Sequence, residues 1–288
     1  MVEMAPQGDS NYAMGFAGDT FNTAWYLRRA LSNAWEISYL TGVGTDTMSD
    51  KMVSFIQGAG ITPQCHVVPD RTVGLYMISL QNGERSFSYW RSVSAARLLA
   101  QHSAPIDALQ AGDVAYFSGI TVAILDSSDR VTLLQNLNNA RARGVIVAFD
   151  PNLRPRLWTN NNEMREWIMR AAAVADIALP SFEDEASIFG DADKPATLKR
   201  YQDAGATCVV VKDGPGSVLA QASEGSTCEV SPQVHASPID TTAAGDSFNA
   251  GFLAAHLAGD DLATAIAKGC AVSHQVVSHK GALVAVET

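Results

Sequence analysis

The chain has 288 residues, 47% of them hydrophobic and 17% charged, with a formal net charge of −10. That length fits one large α/β domain with a sizeable core, and the acidic balance argues against nucleic-acid binding, which needs clustered Lys and Arg. No apolar run is long enough to span a membrane, and the first residues lack the basic-then-apolar order of a signal peptide. Cys65, Cys208, Cys228 and Cys270 stand apart without zinc spacing, so reduced thiols in a cytoplasmic protein are expected.

Phe16-Ala17-Gly18-Asp19-Thr20-Phe21-Asn22-Thr23-Ala24 is the first informative segment. Gly18 lets backbone and ligand come close. Asp19 and Asn22 flank a helix start, where Asp19 either caps the helix or grips hydroxyls together with Asn22. Next, Leu75 to Leu80 and Arg85 to Trp90 flank Gln81-Asn82-Gly83-Glu84, and Asn-Gly is the strongest short hairpin signal. A two-residue loop pairs Gln81 with Glu84, Ile78 with Phe87 and Tyr76 with Tyr89, and it puts Arg91 on the tyrosine face. That face suits a polar, anionic sugar acid, or it packs on the main domain or a second subunit.

Four short apolar runs follow, at 113–119, 144–150, 176–181 and 208–214. Helix-like segments lie between them, at Ser128 to Arg143, Glu163 to Val174 and Pro195 to Ala204. Apolar strands alternating with helices indicate a mostly parallel sheet covered on both faces. In such sheets ligands bind beyond the carboxyl ends of the strands. Ser118, Asp150, Asn152, Ser181, Asp184, Lys212 and Gly214 all fall there, so one cleft is expected.

Within that set, the prolines of Asp150-Pro151-Asn152-Leu153-Arg154-Pro155-Arg156 force an extended path. Arg154 then either grips a carboxylate or phosphate or pairs with surface acids. Asp184, with Glu185 second, is either a Mg²⁺ carboxylate or an acid favoured by a helix N-terminus. Gly214 and Gly216, after Lys212, let a nucleotide approach the backbone or merely turn the chain.

The decisive stretch is Ile239-Asp240-Thr241-Thr242-Ala243-Ala244-Gly245-Asp246-Ser247-Phe248, leading into an apolar helix over Phe248 to Leu257. A helix start presents unpaired N–H groups and a partial positive charge. Small residues let an anion reach them. Asp246 is placed to take a proton from a hydroxyl beside that anion, which suggests phosphoryl transfer to an alcohol. The plainer reading is a turn with Asp246 near the N-cap. The chain has no GxxxxGK[ST] loop and no GxGxxG, so a phosphate site has to come from this turn.

The turn resembles the second signature of the ribokinase-like (PfkB) sugar kinases, Asp-Thr-Thr-Gly-Ala-Gly-Asp-Ser-Phe, and 16–24 resembles the first. The resemblance runs from Gly15 to Ala282, and Phe149 to Trp158 looks most like the 2-keto-3-deoxygluconate kinase branch. It implies a single ribokinase-like α/β domain over 1–288, three-layered around a mostly parallel sheet. A small β-sheet lid would be drawn from about 7–16 and 64–92. It implies ATP-dependent phosphorylation of 2-dehydro-3-deoxy-D-gluconate to its 6-phosphate, with Mg²⁺. A fructokinase or other ketose kinase is the alternative, and a sugar-acid sensor the non-enzymatic one.

By the same resemblance, Asp246 is the base and Ala243, Ala244 and Gly245 form the anion hole, with Ala243 acceptable at negative φ. Arg154 would reach the acceptor or the moving phosphoryl group. Gly18, Asp19, Asn22, Tyr76, Tyr89, Arg91, Asp150 and Asn152 would hold the acceptor. Ser181, Lys212, Gly214, Gly216, Ala271 and Ser273 would face the nucleotide, and Asp184 the metal. Homodimers or higher homo-oligomers through the lid, with no nucleic-acid or membrane partner, complete the expectation. The family also begins with an apolar strand ahead of the residues matching Val2 to Pro6. Without it, a parallel sheet would expose a pairing edge.

Overall fold

In the computed structural model, which describes residues 1–8, 11–81, 84–222, 225 and 227–287, an antiparallel pair comes first, β1 (Val2–Pro6) and β2 (Tyr12–Phe16). Helix α1 (Asp19–Ala30) follows. Next, β3 (Ser38–Val43) and β4 (Thr62–Val67) pair in parallel, with α2 (Thr47–Gly58) as their crossover.

The hairpin is β5 (Leu75–Gln81) and β6 (Glu84–Trp90). Tyr76 lies opposite Tyr89, Ile78 opposite Phe87 and Gln81 opposite Glu84, the expected register. The Asn82-Gly83 loop itself lies outside the described residues. β5 joins β1 in parallel, so the small sheet runs β2-β1-β5-β6. β2, β5 and β6 lie within the expected 7–16 and 64–92, and two details differ. Val2–Pro6 is an inner member, because Val2 and Phe16 bury together against Val43 and Ile56. Residues 64–67 pair with β3 instead.

A 3₁₀ segment (Ala95–Gln101) and α3 (Ala104–Asp107) lead to the main sheet. There β7 (Val114–Ser118), α4 (Gly119–Ile124), α5 (Ser127–Ala142), β8 (Ile146–Asp150), α6 (Asn161–Ala172), β9 (Ile177–Ala178), α7 (Phe182–Phe189), α8 (Lys194–Ala204) and β10 (Cys208–Val211) alternate. β11 (Val218–Gln221), β12 (Thr227–Val230), α9 (Ala244–Leu257) and α10 (Leu262–Val277) complete the chain. The strand order is β12-β11-β10-β9-β8-β7, parallel from β7 to β10 and antiparallel beyond.

Side chains alternate between the faces of this sheet. Val147, Phe149, Val209 and Val211 pack with Leu137, Ile168 and Tyr201 of α5, α6 and α8. Ala148, Ile177 and Val210 pack with Phe252 and Ile266 of α9 and α10. The helices start where the sequence offers an oxygen: the side chains of Asp126, Asn160, Asp193 and Asp261 accept from first-turn amides.

Among the described residues the six-stranded sheet ends at β7 and the β3–β4 pair stands apart. A cavity of about 1650 Å³ opens between them, bordered by residues 38–42 and 114–117, and continues to the carboxyl ends of the main strands. Its lining is polar at the strand ends, with Asp19, Asp150 and Lys212 (the polar lobe), and apolar between β3 and β7, with Leu40, Val114 and Ala115 (the apolar lobe).

Candidate active site

The first turn of α9 forms one wall of the polar lobe. Its N-cap, Ala243, has φ 61° and makes no side-chain capping bond, so the helix start is not closed by its own side chain. The negative φ expected there is not found. Ala243 and Asn152 (φ 36°) are the non-glycine residues with positive φ among the described residues, and both line this lobe. Strained backbone of this kind gathers at functional sites. Asp240, 5% exposed, holds the turn: its carboxylate accepts from Thr242 N at 2.9 Å and from Gly281 N at 2.7 Å.

Asp246 lies three residues into this turn and accepts from Asn22 Nδ2 of α1 at 2.8 Å. Burial and the neighbouring Asp19 push its carboxyl up to about 7. Thr23 ties the two helices by donating to the Asp246 carbonyl at 3.3 Å. Asp19 accepts from the Ser118 hydroxyl, and from Asn152 Nδ2 at 3.3 Å. Burial raises its carboxyl as well, against the Ser118 hydrogen bond.

Lys212, 7% exposed, is held at 2.9 Å from Asn249 Oδ1 and 3.6 Å from Asp150 Oδ2. A Cβ built on Gly245 would lie 3.8 Å from its Nζ, so this cation sits beside the first turn of α9. Asn249 also donates to Asp150 Oδ2 at 2.7 Å and to the Tyr116 hydroxyl at 3.1 Å. Across the cavity the hairpin presents Tyr76, Tyr89 and Arg91, with the Arg91 guanidinium 4.2 Å from the Tyr89 ring centre. Arg154 lies 3.7 Å from Asp184 Oδ2. Both are about half exposed and both face the lobe.

Sixteen expected residues therefore converge on one cavity: Gly18, Asp19, Asn22, Tyr76, Tyr89, Arg91, Asp150, Asn152, Arg154, Ser181, Asp184, Lys212, Ala243, Ala244, Gly245 and Asp246. Gly214, Gly216, Ala271 and Ser273 do not line it. The first two shape a tight turn after β10, where Gly214 has φ 50° and a Cβ on Gly216 would collide with Asp213. The other two lie along α10, with Ala271 exposed. Glu185, second to Asp184 as a metal carboxylate, is fully buried away from the cavity and accepts from Arg200 at 2.8 Å and Tyr201 at 2.9 Å. It is a core ion pair. Asn249, Tyr116 and Glu3 were not expected. Asn249 had a signal, since three residues past Asp246 on a helix is the same face. The other two had none.

The sequence pattern of the pfkB family carbohydrate kinases matches residues 5–288. The 2-dehydro-3-deoxygluconokinase of Haemophilus influenzae is 35% identical over 99% of this chain and 93% of its own. That of Escherichia coli K12 is 36% identical over 99% and 94%. Among solved structures, the fructokinase of Vibrio cholerae O395, bound to fructose, ADP and a calcium ion, superposes with a TM-score of 0.81 at 26% identity, over 98% of this chain and 91% of its own. A buried carboxylate behind an uncapped helix start, the layered sheet and the near-complete sequence match agree: the chain belongs to the pfkB family of carbohydrate kinases and has the ribokinase-like α/β fold.

Proposed function

We propose that this kinase transfers the terminal phosphoryl group of ATP to the 6-hydroxyl of 2-dehydro-3-deoxy-D-gluconate. The observation that carries the reading is the buried Asp246 carboxylate at the first turn of α9, next to the uncapped helix start and Lys212. The relatives of that name at 35% and 36% identity support the substrate. Arg91 and Arg154 supply cations for the sugar-acid carboxylate, and Tyr89 backs Arg91.

In this reading Asp246 takes the proton of the attacking hydroxyl as its oxygen closes on phosphorus. The Ala243–Gly245 amides and the Lys212 ammonium meet the charge on the migrating group. Asn22 orients the base, and Asp19 and Asn152 hold acceptor hydroxyls. A divalent cation, Mg²⁺ in this proposal, would neutralise phosphate charge when bound. Asp184 fits it as a half-exposed carboxylate on the cavity wall, since Mg²⁺ keeps several waters and takes few protein oxygens. The ADP and calcium ion in the fructokinase complex support a nucleotide and a divalent cation.

We read 1–288 as one kinase domain with the β2-β1-β5-β6 sheet as its lid. The lid's outer face, opposite Tyr76 and Tyr89 in register, exposes Tyr12, Met14 and Trp90. A second copy of the chain is the proposed cover, and sedimentation at increasing concentration tests it. The function is tested by ATP turnover on a substrate panel. Strong activity on the ketodeoxy acid is expected, and activity on fructose without it would favour the ketose-kinase alternative that the Vibrio structure represents. Asp246→Asn is expected to fold and to lower kcat by about 10²–10⁴; near-normal turnover would remove Asp246 from the base role.

A further inference from the structure

The lid carries a polar contact that the proposed chemistry does not use. Tyr76, 7% exposed, lines the cavity beside Tyr89, with ring centres 6.1 Å apart. Its hydroxyl donates to Glu3 Oε2, on the neighbouring strand β1. Glu3 and Tyr76 are direct register partners in the parallel β1–β5 pair, so the backbone ladder already fixes their strands. A phenol has one proton and two lone pairs. With the proton committed to Glu3, the oxygen offers the cavity only lone pairs. A carboxylate gains nothing from such a group, while a hydroxyl finds an acceptor. Burial and the Glu3 carboxylate raise the Tyr76 phenol further above its ordinary value, so it stays protonated and keeps that polarity.

We propose that Glu3 is a positioning residue that fixes Tyr76 as a hydrogen-bond acceptor. Tyr76 then reads a hydroxyl of the sugar, and the acid end is left to the cations Arg91 and Arg154. This rests on the function proposed above. It deepens that reading by dividing the acceptor's groups between two kinds of protein partner. If the carboxylate of Glu3 is replaced by an apolar group, Tyr76 can accept from the sugar only by leaving its own proton unpaired in a buried place, and binding weakens.

The test is a kinetic cycle on 2-dehydro-3-deoxy-D-gluconate with Glu3→Met, Glu3→Gln, Tyr76→Phe and the Met/Phe double variant, each checked for folding by thermal melt. Glu3→Met is expected to raise KM about three- to tenfold with kcat little changed, the size of one hydrogen bond. Glu3→Gln keeps an acceptor for the phenol and is expected to hold KM at or below that of the unaltered protein. In the Tyr76→Phe background, Glu3→Met is expected to add nothing, because no phenol proton remains to hold. An unchanged KM in Glu3→Met, a Gln variant as impaired as the Met variant, or a Met effect of full size on top of Tyr76→Phe would each overturn the proposal. Turnover of the sugar acid by the unaltered protein tests the underlying function separately. If fructose proves to be the substrate, the same cycle run on fructose decides the role of Glu3.

Discussion

Asp246 carries two opposite consequences of burial. Its carboxyl is pushed up to about 7 by desolvation and by Asp19, and the proposed base role needs it deprotonated. kcat/KM is therefore expected to rise with pH through about 7 and to fall roughly tenfold per pH unit below it, which a pH–rate profile on the free enzyme reads. The stability sign is the reverse. The folded state binds this proton more tightly than the unfolded chain, so stability declines as pH rises from the ordinary Asp range to about 7, and the cost is complete above it. Asp246→Asn is therefore expected to melt higher than the unaltered protein at pH 8, by about 3 °C for each kcal/mol recovered. Ala243 is the second strained point. A left-handed backbone costs a Cβ-bearing residue about 1–2 kcal/mol, while glycine loses more chain entropy on folding, about 0.4–1 kcal/mol. Ala243→Gly is expected to stabilise by about 0.5–1 kcal/mol on thermal melting and to retain activity, since only the backbone amide is used.

Helix α9 joins core and chemistry in one element. Residues 247–255 are buried throughout, Phe252 and Leu253 completely, which matches the apolar reading of Phe248 to Leu257. Its uncapped end carries the turn proposed to hold the anion, so the core that packs Phe252 against β8, β9 and β10 also aims Asp246. Phe252→Ala is expected to cost about 3–5 kcal/mol in chemical denaturation, the loss typical of a buried aromatic ring. The hairpin was equally readable. Asn-Gly fixed its loop length, and strict side-chain alternation then placed Tyr76, Tyr89 and Arg91 on one face. Short-range signals stopped there. Gly214, Gly216, Ala271 and Ser273 were expected to face nucleotide by resemblance, and they lie outside the cavity that gathers the other sixteen, because where a turn or helix face points depends on packing against distant elements.

The division between the six-stranded sheet and the β3–β4 pair leaves a lobe bordered by the half-buried Leu27, Ile37, Leu40, Val114, Ile120 and Leu257. Such an apolar opening in a folded protein is expected to bind an environment-sensitive apolar dye such as ANS, with a fluorescence rise that persists at saturating substrate and nucleotide, because the proposed function places those in the polar lobe. No rise with the folded protein would show the lobe closed in solution. The local sequence was sufficient for the apolar strands, the capped helices and the small-residue turn ending in Asp246, because periodicity, cap oxygens and residue size act over a few neighbours. It gave no access to Asn22 meeting Asp246 across 224 residues, to Lys212 held between Asn249 and Asp150, or to Glu3 accepting the hydrogen bond of the Tyr76 hydroxyl. Those contacts join residues far apart along the chain, and only the packing of helices and sheets against one another sets their distances.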